Sequence, residues 1–84
     1  MNNPIVVMTD KVMRMIKSMV YLSMRVSYRR GATPQDISGF LVEWTPGNDN
    51  IYHEGVVERA LSDLEADGLV RRAGPRWYPV GLAA

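Results

Sequence analysis

Arg71 and Arg72, followed after a short break by Arg76, Trp77 and Tyr78, are the side chains of this sequence best suited to chemistry with a polyanion. Ala73, Gly74 and Pro75 between the two runs read as a turn, so residues 69–80 are expected to fold back as a two-stranded hairpin. Alternation along the second strand puts Arg76 and Tyr78 on one side and Trp77 on the other. Three guanidiniums on such a ribbon can contact phosphates or enter a narrow minor groove. The competing role for Arg71 and Arg72 is as solvated edge charges that deter strand-to-strand aggregation. Trp77 suits packing under the hairpin better than stacking on a base.

Other chemistry finds little support. His53 is the single histidine, which excludes a two-histidine metal site within one chain, and Glu54 beside it points about 100° away on a helix. A metal site pairing His53 with Glu58 or Asp49 is disfavoured. The chain has no cysteine, which removes disulfides and thiolate zinc ligands together and fits a reducing, cytoplasmic setting. The GATPQD run lacks the Gly-Lys-Ser/Thr ending of a phosphate loop, and no serine stands in a nucleophile-elbow motif. The expectation is a protein that is not an enzyme and needs no cofactor or metal.

The elements that must position the arginines follow from apolar spacing. Residues 51–67 form the third of three expected helices, with Val57, Leu61 and Leu64 on one face and Asn50 or His53 as cap. Gly68 can end that helix at positive φ, with Leu69 making the apolar contact behind it. The second helix, 33–44, is announced by Thr33, Pro34 and Asp36 in the pattern of a capping box, and buries Ile37, Phe40 and Leu41. Between them, residues 45–50 (TPGNDN) read as a polar turn.

The first helix is expected over 9–28, ending at Gly31, after a lead of residues 1–8 that is either flexible or a short strand. Val12, Met15, Ile16, Met19, Leu22, Ser23 and Val26 fall on one side of it. Met13, Val20 and Met24 widen the apolar arc to roughly 200°, more than one packed face needs. That width fits either a deeply buried helix or one whose extra edge, Met13, Val20 and Met24, meets a second protomer. The apolar-leaning stretch from Met8 to Val26 is broken by Asp10, Lys11, Arg14, Lys17 and Arg25, so no membrane span is expected, and no signal peptide is visible in Met1 to Met8.

At 84 residues and 46% hydrophobic content, the chain is sized for one small domain with a core of its own. The expected class is mainly α with a small β-hairpin in one domain, 1–84, and the order of three helices followed by a two-stranded wing resembles a winged helix-turn-helix domain. Arg59 to Glu65, then Gly68-Leu69-Val70 and an arginine, resembles the R-x-x-x-x-L-E-x-x-G-L-[VI]-x-R signature of winged-helix transcription regulators of the multiple-antibiotic-resistance and PadR-like groups. The resemblance covers the third helix and hairpin; Met8 to Trp44 agrees in element order. It implies that the start of the third helix and the wing touch DNA, which here means Asn50, Tyr52, His53, Arg59, Arg71, Arg72 and Arg76.

The third helix departs from that pattern, because Glu54, Glu58, Ser62 and Glu65 line up where those regulators tend to carry polar or basic residues. Like charges would meet the phosphates there. The A-G-P-x-W run also resembles the wing of Z-form nucleic-acid-binding domains, but Glu58 and Ser62 replace the helix Asn and Tyr those domains use, so that activity is not carried over. Net charge is only +1, so the placement of charge has to favour nucleic acid if its total does not. The expected partner is double-stranded DNA, bound by a small regulator of transcription that dimerises through its first helix. The alternative is a winged-helix protein-interaction module that uses the acidic third-helix face or the Met-rich first helix.

Overall fold

The computed structural model describes residues 10–44 and 52–80. Within them lie three helices, α1 (Asp10–Ser27), α2 (Pro34–Trp44) and α3 (Glu54–Ala66), then two strands, β1 (Val70–Ala73) and β2 (Arg76–Pro79). The expected lead 1–8 and turn 45–50 fall outside the described residues. The strands pair antiparallel, with Val70 opposite Pro79, Arg71 opposite Tyr78, Arg72 opposite Trp77 and Ala73 opposite Arg76. The fold is mainly helical with a small hairpin.

Local chemistry sets the helix ends. Thr33 Oγ1 accepts from the Asp36 N–H at 3.1 Å while an Asp36 carboxylate oxygen accepts from the Thr33 N–H at 3.1 Å. This reciprocal pair satisfies two donors at the start of α2. At the end of α3, Gly68 adopts φ +80, its N–H donates to Glu65 O at 2.9 Å, and the Leu69 N–H reaches back to Leu64 O at 2.9 Å. These are the two bonds of a Schellman cap, and they aim the chain directly into β1.

The core is one cluster in which Ile16, Val20 and Met24 of α1 meet Ile37 and Leu41 of α2, Val57, Ala60, Leu61 and Leu64 of α3, and Val70 and Trp77 of the hairpin. Ser23 is the buried polar side chain of α1, and its hydroxyl donates to Val20 O at 2.7 Å, so it adds no unsatisfied group. An ion pair between Lys17 and Asp67, 3.1 Å, ties α1 to the end of α3.

The packing of α1 corrects the expected protomer interface. Met13, Val20 and Met24 are 7%, 0% and 0% exposed, so they form this chain's own core. The edge left outside is the opposite one: Met15, Leu22 and Val26 are 48%, 55% and 68% exposed, joined by Trp44 of α2 at 66%. Periodicity defined an arc too wide for one neighbour, and only the arrival of α3 on the Met13–Met24 side decides which edge is covered.

A contact outside the hairpin completes its anchoring. The Ala32 N–H donates to Trp77 O at 3.0 Å and the Trp77 N–H to Ala32 O at 2.8 Å, an antiparallel bridge on the free edge of β2. The α1–α2 turn therefore runs beside the hairpin as a one-residue third rung. A single bridging residue carries no strand pattern, so the sequence gives no sign of it.

Candidate functional site

The register separates the three hairpin arginines. Residues facing each other across an antiparallel pair share a face. Arg71 with Tyr78 and Ala73 with Arg76 therefore lie on one face, and Arg72 with Trp77 on the other. Trp77 is buried beneath the hairpin at 6% exposure, against the core. All three arginines are exposed.

Each arginine is held by its own surroundings. On the inner face, Arg72 Nε donates to Gly74 O at 3.0 Å and its guanidinium lies 5.8 Å from the Trp77 ring centroid. On the outer face, the Arg71 guanidinium lies 5.4 Å from the Tyr78 ring centroid, and Arg76 Nη1 donates to Gly31 O at 3.3 Å. The last contact spans from β2 to the α1–α2 turn. Gly31 itself sits under Tyr78: at φ +103, a Cβ there would lie 2.6 Å from Tyr78 Cε2. Arg71, Tyr78, Gly31 and Arg76 are thus a contiguous set, and Arg29 and Arg30, both exposed, immediately precede Gly31. Among the described residues none of these four arginines makes an ion pair.

The inner face is different. A cleft of about 480 Å³ opens between α3 and the hairpin, lined by Glu54, Glu58 and Ser62 of α3, Arg72, Pro75 and Gln35 among others. Two carboxylates one helical turn apart face one guanidinium across it. Arg59, the lone basic residue of α3, is exposed and lies one position from Glu58, about 100° around the helix.

The other expected DNA contacts separate. Tyr52 is 3% exposed and packed in the core, while its carbonyl accepts from the Ser38 hydroxyl, so its ring is not available to a ligand. Burial also raises its phenol above the ordinary tyrosine range. His53 is the N-cap of α3, its Nδ1 accepting from the Val56 N–H at 3.4 Å, which engages one ring nitrogen and leaves the rest of the ring in solvent. Asn50 lies outside the described residues. Tyr28, beside the arginine turn, rests edge-on against Phe40 and donates to Asp36 O at 3.3 Å. Its phenol is raised by burial first, then by the Asp36 and Glu43 carboxylates.

Arg29 and Arg30 did not stand out in the sequence, where they read only as the end of a helix. The available signal is their place directly before a glycine and a capping box, but it acquires meaning only once Ala32 is seen bonded to β2. Among the described residues no group of His, Cys, Asp and Glu is arranged to hold a metal ion, and no helix is long and apolar enough to cross a membrane.

Compared with known proteins, the chain matches no family model, no curated protein and no solved structure.

Proposed function

We propose that this chain is a winged-helix domain that binds duplex DNA, with the hairpin as its wing, in the manner of a small transcription regulator. The observation that carries this reading is the double hydrogen bond between Ala32 and Trp77, which fixes the arginine-bearing hairpin rigidly beside the α1–α2 turn. The order α1, bridging residue, α2, α3, hairpin supports it, as does the direct hand-over from the Gly68 cap into β1. Arg71 and Arg76, exposed on the hairpin, supply phosphate contacts. The acidic line of α3 makes deep insertion of that helix into a groove costly, since its carboxylates would oppose the phosphates.

A fluorescence-anisotropy titration of labelled random-sequence duplex against the full chain at increasing salt tests this. Log affinity should fall linearly with log salt, with a slope of about −0.9 for each arginine that neutralises a phosphate. A flat salt dependence, or no binding at low salt, contradicts DNA binding.

The cleft favours a second reading. Glu54 and Glu58 converge on it, and a protein partner carrying a basic side chain would find complementary charge there. In that case the domain is a protein-interaction module and the duplex titration is blank.

We also propose that a homodimer, if formed through α1, uses the edge that the core leaves free. Met15, Met19, Leu22 and Val26 recur at intervals of four, three and four residues, the spacing of a helix-pairing seam. Beside them a small groove of about 60 Å³ between Met19, Leu22 and Val26 of α1 and Phe40, Leu41 and Trp44 of α2 lies next to protruding Leu22, Val26 and Trp44. A two-fold interface presents the same patch on both subunits, and an exposed apolar patch with a groove in it supports a second copy of this chain as the occupant.

A further inference from the structure

We infer that the phosphates are gripped on the outer face of the hairpin and the turn bonded to it, by Arg29, Arg30, Arg71 and Arg76, and not in the cleft beside α3. This inference rests on the DNA-binding reading and specifies its surface.

The two faces differ in the charge around their guanidiniums. Arg72 faces the cleft that holds Glu54 and Glu58, so a phosphate entering there meets two carboxylates and one cation. On the outer face the cross-strand neighbours are neutral: Tyr78 lies opposite Arg71 and Ala73 opposite Arg76. Asp36 and Glu43 stand near Tyr28 at the start of the turn, and the Asp36 carboxylate accepts from the Thr33 N–H.

The outer arginines are also oriented in advance. Arg71 is laid over the Tyr78 ring, and that ring is seated on Gly31 with no room for a Cβ beneath it. Arg76 uses one N–H on Gly31 O and keeps the rest of its five donors for a ligand. Stacking and a single backbone bond fix each planar fork while leaving its other edge open, which lowers the ordering cost of a bidentate phosphate contact. Arg29 and Arg30 are exposed and directly precede Gly31, the residue that Arg76 bonds and Tyr78 covers. The Ala32–Trp77 bridge holds the backbone of the turn beside the backbone of the hairpin. A duplex backbone, with closely spaced phosphates, suits several separate guanidiniums better than a single small anion does.

Four variants of the full chain separate the surfaces by the same duplex titration: Arg29→Ala with Arg30→Ala, Arg71→Ala with Arg76→Ala, Arg72→Ala alone, and Arg59→Ala alone. Each outer pair should weaken low-salt affinity by about tenfold or more and make the salt slope shallower by about two, while the Arg72 and Arg59 variants stay close to the parent. Arg29 and Arg30 are exposed turn residues, so their pair keeps the fold and decides the matter even if the Arg71/Arg76 pair loosens the hairpin. If the parent binds duplex and the Arg29/Arg30 pair binds it equally well with the same slope, this inference falls while DNA binding stands. If the Arg59 or Arg72 variant loses as much as an outer pair, the grip lies at α3 or its cleft and the inference is equally overturned. If the parent itself does not bind, the DNA reading fails and takes this surface with it.

Discussion

Gly31 shows how one residue governs the candidate surface. Its positive φ, the Tyr78 ring packed on it and the Arg76 bond to its carbonyl meet at one Cα. Gly31→Ala should therefore cost about 1–3 kcal/mol, from backbone strain and displacement of the ring. Gly39, in the middle of α2 with nothing near its would-be Cβ, is the matching control: alanine there should stabilise the fold by about 0.5–1 kcal/mol. Thermal melts of the two variants check both signs, and a neutral Gly31→Ala would mean that Tyr78 does not rest there. The sequence marks Gly31 as a helix end but cannot show that Tyr78, far along the chain, lands on it. Tyr52 fails for a similar reason. A tyrosine beside a cap has no periodic partner to reveal that it turns inward, so its type suggested a contact that its burial removes.

Among the elements, those bounded by local chemistry were the legible ones. The Thr33/Asp36 box and the Gly68 cap depend on residues a few positions apart, and both are formed where the residue types indicate. The hairpin turn at Gly74 and Pro75 is equally local, with Gly74 at φ +64. The phase of α1 was not legible, because ten apolar or small residues span more than half of the helix and the choice of inner edge belongs to α3. That reversal gives the seam its prediction. The chain should sediment as a dimer at high micromolar concentration, and Leu22→Glu with Val26→Glu should make it monomeric without lowering its melting temperature, since both side chains are mostly exposed. A parent chain that sediments as a monomer contradicts the seam.

At the scale of the whole molecule, charge placement matters more than charge total. A net charge of +1 conceals an acidic line on α3 and an arginine strip on the hairpin and adjoining turn. The sequence displayed the acidic line directly, because Glu54, Glu58 and Glu65 recur on one helix. It could not bring together residues 29–30 and 71–76, whose segments meet through the Ala32–Trp77 bridge, the Arg76–Gly31 bond and the Tyr78 ring on Gly31. The most direct test is a titration of the ¹⁵N-labelled chain with a short duplex, followed by amide and arginine side-chain chemical shifts. The account predicts the largest changes at residues 29–33 and 71–78, with the α3 amides from Glu54 to Ser62 little affected. Changes concentrated on α3, or no changes at any residue, would contradict it.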